Sequence, residues 1–185
     1  MEEEQAATPR GAALLADFVN TLDLEEPEKE QIGDSGSLRA WLGERDLLPA
    51  AARVGEEDVA RAQRVREALR SLLLANNGEP LDPDSVATLN RAADESHLRV
   101  LFGADGSADL VPDESGVTGA LSRMLAVAYT AMADDTWQRL KACRYDSCHW
   151  AFYDHSKNRS RSWCSMKVCG NRAKARAYRE RARGH

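Results

Sequence analysis

Four cysteines constrain this chain more than any other feature. They stand at Cys143, Cys148, Cys164 and Cys169, all within the last 45 of 185 residues, spaced C-x4-C, fifteen residues, C-x4-C. Two close pairs can supply the tetrahedral ligand set that zinc prefers, on tight turns that bury little chain. Thiolates are soft and favour zinc over magnesium or calcium. Four sulfurs close the site, which makes it structural, since a catalytic zinc keeps an open position for water. His149 and His155 are the candidate substitutes for a cysteine, and an iron–sulfur cluster is the chemical alternative. Four unrelated buried thiols fit poorly, because the segment around them is too polar to bury them. So short and charged a segment cannot fold on an apolar core alone, and zinc binding, about 10–16 kcal/mol in finger peptides, supplies the missing stability. One structural zinc is the expected cofactor.

Charge divides the chain at the same place. From Lys141 onward there are 12 Lys/Arg and 3 Asp/Glu, a net +9, whereas residues 1–140 hold 13 and 27, a net −14. This break predicts a helical domain over 1–140 and a finger over 141–185. The acidic part would repel a polyanion, so any nucleic-acid surface is expected in the finger. The start, MEEEQAATPR, lacks the pattern of a signal peptide, and no apolar run is long enough to cross a membrane. The expectation is a cytoplasmic chain with reduced cysteines and no membrane partner.

Residues 1–140 read as mainly α with one small β-hairpin. Leu14, Leu15, Phe18 and Leu22 have helical spacing within 12–24, and Ser37 is an N-cap candidate for a short helix. A longer helix runs from Glu56 to Asn76 with Ala62, Val65, Leu69, Leu72 and Leu73 on one face and Asn76-Asn77-Gly78 as its stop. Asp82-Pro83 opens another, and residues 98–111 read as a hairpin around Asp105-Gly106. A nearly all-apolar helix over 119–133, with Leu121, Met124, Leu125, Ala128, Tyr129 and Met132, reads as the central one. Asp17, Asn20 and Thr21 share one helical face and are the ligand-binding candidates, against the alternative of a helix-end hydrogen-bond network. Trp41 and Trp137 read as packing residues, and His97 carries no evident site. No Gly-rich phosphate loop, GxSxG, HExxH or framed carboxylate pair occurs, so the chain reads as a non-enzyme.

Inside the finger, residues 150–153 and 161–163 read as two short strands joined by a basic loop, with a helix from after Cys169 to about Arg183. On that helix Arg172, Arg176, Arg179 and Arg183 form a stripe, Lys174 and Arg181 extend it, and Glu180 is the lone acid. Ala175, Tyr178 and Ala182 form a neighbouring stripe that could pack on the metal module. An arginine-bearing helix can enter the DNA major groove, and Lys157, Arg159 and Arg161 on the loop can hold phosphates. Double-stranded DNA is therefore the expected partner. A protein- or RNA-interaction module that uses zinc as a staple is the alternative, and oxidation of the thiolates could make the finger redox-responsive. The acidic part could cover the basic one, but two solvated surfaces are the preferred reading.

Cys169-Gly170-Asn171-Arg172 spells CGNR within W-C-S-M-x-x-C-G-N-R-x-K-x-R. With Cys143, Cys148, Phe152, Tyr153, Asp154, Ser156, Asn158, Ser160 and Arg161, this resembles the CGNR zinc finger of bacterial proteins. Residues 17–22, Asp-Phe-Val-Asn-Thr-Leu, look like the opening of the ABATE domain that precedes that finger, and Leu38-Arg-Ala-Trp41-Leu42 and Leu89-Asn90-Arg91 fit its later stretches. The resemblance implies a stress-induced transcription regulator: a mostly helical domain, then a zinc-bound, DNA-binding module whose ligands are the four cysteines. A small-molecule effector in the first part and a homodimer are further expectations. Physics suggests that Gly170 allows a tight turn, Asn171 caps the helix or bonds a sulfur, and Asp154 orients an arginine or receives a backbone N–H.

Overall fold

The computed structural model describes residues 7–183, so the acidic stretch 1–6 and residues 184–185 lie outside it. Helices dominate: α1 (Arg10–Val19), α2 (Ser35–Gly43), α3 (Glu56–Ala75), α4 (Pro83–Asp94), α5 (Gly116–Ala133) and α6 (Asn171–Arg183). Two antiparallel hairpins complete the chain, β1 (Leu98–Phe102) with β2 (Ala108–Pro112), and β3 (Leu140–Ala142) with β4 (Ala151–Tyr153). No described helix is long and apolar enough to cross a membrane.

The core forms where the apolar faces of α1, α2, α3 and α5 meet. Leu15, Phe18, Leu38, Leu42, Val65, Leu69, Leu73 and Met124 are all buried there. The helix α3 follows its sequence pattern closely. Three acids occupy its first turn, where the helix dipole favours them, and Gly78 at φ +93° supplies the left-handed stop after it. Asp82 caps α4 through the amides of Asp84 and Ser85, with Pro83 at the first helical position. The Asp105-Gly106 turn joins β1 to β2 as expected, with Gly106 at φ +83°.

Three local expectations need correction. Asp34, not Ser37, caps α2. Its carboxylate accepts from the Gly36 and Ser37 amides while Ser37 Oγ accepts from the Asp34 amide, so Ser37 is the third residue of a capping box. Secondly, Tyr129 and Met132 on α5 are exposed. The apolar surface of α5 is wider than the face its neighbours cover, and periodicity cannot say which flank stays open. Thirdly, 161–163 is no strand: β4 pairs with β3, which precedes the first cysteine. Residues 161–163 instead lie as coil, tied by the Arg144 amide to the Ser162 carbonyl at 3.2 Å.

That pairing decides where the cysteine segment sits. Leu140, Ala142 and Ala151 are buried in the same core as the helices. Side chains fasten the seam. Asn20 pairs with the backbone of Ala151 in both directions, at 2.9 and 2.7 Å, as a neighbouring strand would. Buried Arg70 donates to the carbonyls of Val19, Leu22 and His149. Asn76 donates to the carbonyls of Trp137 and Leu140, and Asn77 to those of Ala142 and Ser162. The two asparagines that end α3 thus also hold the start of the cysteine module.

Candidate metal centre and nucleic-acid interface

The hairpin β3–β4 carries the first cysteine pair across its turn. Cys143 follows β3 directly, its amide bonded to the Trp150 carbonyl, and the Cys148 amide closes a tight turn on the Tyr145 carbonyl. His149 turns back into β4 at φ +48°. In the second pair Cys164 precedes and Cys169 lies within a wide helical turn, Met166–Gly170, that runs into α6. Ser165 Oγ accepts from the Val168 amide and so caps this turn. Gly170 lets side chains approach closely: a Cβ there would meet Met166 Sδ at 2.4 Å and the Trp163 ring at 3.2 Å, so the Met166 side chain would have to move. The Asn171 side chain does not bond sulfur: its Nδ2 donates to the Lys167 carbonyl at 3.0 Å.

All four Sγ atoms lie within 4.8 Å of one another. Cys148–Cys164 and Cys164–Cys169 are 3.6 and 3.7 Å apart, far beyond a disulfide bond. A tetrahedron with metal–sulfur bonds of about 2.3 Å has sulfur–sulfur edges of about 3.8 Å. The cluster is therefore able to hold one zinc ion. Phe152, Tyr145, Trp150 and Trp163 shield it, and Cys143 and Cys169 are almost fully buried. Thiol donors from Cys148 and Cys164 draw Cys143 down. The reciprocal contact pushes Cys148 and Cys164 up, and burial raises Cys169. Four thiolates this close require a cation, and binding one expels the remaining protons.

Below the sulfurs a second polar centre sets the loop 154–161. Asp154 is fully buried and accepts from Lys141 Nζ at 2.8 Å and from the amides of Ser156 and Arg161 at 2.9 Å each. Burial pushes its carboxyl up, but these donors outweigh burial and hold it at about 2. Lys141 also donates to the carbonyls of Arg159 and Arg161. Asp154 thus receives backbone N–H groups and a lysine, and orients no arginine through its carboxylate. The pair Lys141–Asp154 is a feature the sequence reading missed; a lone lysine at the finger's first position gave no signal of burial.

The basic residues divide by what they already touch. On α6 all six cations, Arg172, Lys174, Arg176, Arg179, Arg181 and Arg183, are exposed. Arg172 pairs with Glu25 at 2.6 Å, and Arg176 pairs with Asp146 and with Glu180. Among the described residues Lys174, Arg179, Arg181 and Arg183 have no ion-pair partner. No residue of α6 is buried, which corrects the expectation that Ala175, Tyr178 and Ala182 pack on the metal module. Tyr178 is 69 % exposed. Its stripe is covered by no other element among the described residues. On the loop Lys157 and Arg159 are exposed, whereas Arg161 bonds back to the carbonyls of Trp163 and Cys164 and lies over the Phe152 ring.

The three ligand candidates on α1 part ways. Asp17 is exposed and, with Asn20, Gln31, Arg45, Trp150 and Tyr153, lines a cleft of about 440 Å³ between α1 and the cysteine module. Asn20 is engaged by Ala151 as described. Thr21 is fully buried, donating to the Phe18 carbonyl and accepting from Arg66, so it belongs to the core and not to the cleft. The helix ends at Val19, and the chain beyond it turns inward.

Comparison with known families agrees with this geometry. Residues 139–182 match the CGNR zinc finger, and residues 12–136 match ABATE, a family described as "Putative stress-induced transcription regulator". No curated protein matches the chain. The two family matches together span the helices, both hairpins and the sulfur cluster, and the chain belongs to the ABATE family, with a CGNR zinc finger as its C-terminal part.

Proposed function

We propose that the chain is a DNA-binding transcription regulator in which Cys143, Cys148, Cys164 and Cys169 hold one structural zinc and α6 contacts duplex DNA. One observation carries this reading: α6 bears six cations against one acid and buries nothing, while its base is anchored to the sulfur cluster. A free helix with that composition would gain little from staying ordered in water. Against a phosphate-rich groove its charge finds partners, and arginine offers guanine a bidentate contact. Lys157 and Arg159 extend the footprint as phosphate contacts, and Arg161 has a bracing role within the loop. The zinc supplies rigidity, so that the helix meets DNA already oriented.

A small-molecule effector is assigned by the same reading to the cleft beside Asp17. Its walls come from α1 and from β4, so a ligand there would touch both the helical part and the finger.

The test is capture of sheared genomic DNA by the zinc-loaded chain, beside Arg179→Ala/Arg183→Ala. These two arginines are chosen because Arg172 and Arg176 also brace the helix. Discrete enriched sites, lost in the variant with one zinc per chain retained, are expected. Capture unchanged by the variant would remove α6 as the reader. A preference for single strands with a shallow salt slope would favour an RNA or protein partner instead.

A further inference from the structure

The pairing of Arg172 differs in kind from the other contacts of α6. Its partner, Glu25, belongs to the loop after α1, on the opposite side of the charge divide. That loop is ordered by local bonds: the Glu25 amide donates to Asp23 at 2.9 Å, and the Gln31 amide closes on the Thr21 carbonyl at 2.9 Å. One oxygen of Glu25, Oε1, accepts from Ser147 Oγ at 2.9 Å and from the Arg172 guanidinium at 2.6 Å. Ser147 lies between the first two cysteines, and Arg172 follows the last by three positions. Arg172 also stands over the Tyr145 ring, 5.7 Å from its centroid. Two donors anchored on opposite halves of the metal cluster therefore converge on a single anionic oxygen.

A hydroxyl and a guanidinium converging this way form a donor set suited to a phosphodiester oxygen. We propose that Ser147 and Arg172 form a seat for a DNA backbone phosphate, and that Glu25 occupies it in the free protein and leaves when DNA arrives. The inference rests on the DNA-binding reading above. It adds Ser147 as a nucleic-acid contact and Glu25 as an internal competitor. Among the described residues Glu25 is the one acid from outside the finger that pairs with α6, since Asp146 and Glu180 travel with the finger itself. Both partners are part exposed, with side-chain exposures of 46 % for Arg172 and 33 % for Glu25, so the exchange of one anion for another needs no unfolding. An exposed ion pair of this kind is weak. The contact therefore tunes affinity rather than blocking DNA.

The experiment uses the zinc-loaded full chain and a labelled random-sequence duplex, read by fluorescence anisotropy at fixed moderate salt, with zinc content checked for each variant. Glu25→Gln is expected to bind about two- to fivefold tighter than wild type, the equivalent of one exposed ion pair. Glu28→Gln removes the same charge from the same loop, at a side chain that makes no hydrogen bond or ion pair among the described residues, and is expected to change affinity less. Adding Ser147→Ala to Glu25→Gln is expected to weaken binding again. If wild type binds and the two glutamine variants bind equally, the seat is wrong and the DNA reading stands. If no variant binds duplex, the DNA reading falls and the seat with it.

Discussion

The helical part and the finger solve the problem of stability in different ways. From Arg10 to Ala133 the chain buries Leu, Val, Phe and Met side chains along faces that helical periodicity already marks. From Cys143 onward few large apolar side chains are buried, and order comes from four sulfurs, the Asp154–Lys141 pair and backbone bonds to asparagine side chains. The first strategy spreads stability over many contacts, so the loss of one side chain costs its own cavity and leaves the rest in place. The second concentrates stability in a few polar groups, each of which leaves an unpaired buried partner when removed. The seam matters as much as either side, because β3 and β4 stand in the helical core while the turn between them carries the first two cysteines of the cluster.

The largest effect expected is from the metal. Chelation, or Cys169→Ser, removes an interaction that is worth about 10–16 kcal/mol in small fingers, and α6 with its preceding turn should lose order. Circular dichroism should show this loss while α1 to α5 keep their signal. Complete unfolding of the chain would mean that the seam, and not the helical core alone, carries the first part. Because neighbouring thiols and burial raise Cys148, Cys164 and Cys169, protons compete with zinc, and apparent zinc affinity should fall steadily as pH is lowered.

Next comes Asp154→Ala, which leaves Lys141 buried without its partner, at a cost of about 3–5 kcal/mol. Thermal unfolding of the zinc-loaded chain measures it. The carboxyl is depressed in the folded state, so its contribution is fully present above the ordinary carboxylate range and is lost as pH falls toward about 2. Acid titration of wild type beside Asp154→Asn should show that difference vanish at low pH.

Leu69→Ala should cost about 2–5 kcal/mol as a cavity in the helical core, with zinc content unchanged. Equal damage to zinc binding would break the comparison, since it would make the two strategies one cooperative unit. Asn20→Ala should cost about 1–3 kcal/mol by leaving the Ala151 amide and carbonyl unpaired, and should split thermal unfolding into two steps if the seam couples the parts. Smallest of all, Arg179→Ala should change stability by under about 0.5 kcal/mol, because among the described residues the side chain bonds only its own helix. Its effect belongs in DNA affinity and in a salt slope about one unit shallower.

Much of this was legible in the residues. The acids that start α3, the Asp82-Pro83 start and the Asp105-Gly106 turn are local signals, and each acts within a few residues of itself. The cysteine spacing was equally direct, since four soft ligands in two pairs have few other uses. Asn76 and Asn77 show where such reading stops. They were visible as a helix stop, but their amides reach Trp137, Leu140, Ala142 and Ser162, more than 60 positions away. The strand assigned to 161–163 failed for a related reason: its composition resembles a strand, but β4 found its partner in 140–142, where apolar contact with α3 adds to the pairing.

The sequence by itself determined the helical class, the position of the charge divide, the identity of the four sulfurs and the cationic character of α6, because periodicity, charge and ligand chemistry are carried by residue type and short spacing. Only the tertiary structure decided that Thr21 is core while Asp17 faces a cleft, that Asp154 holds Lys141, and that Glu25 meets Arg172 and Ser147. Those outcomes depend on which distant groups share a desolvated or crowded space, and a linear order of residues does not contain that distance.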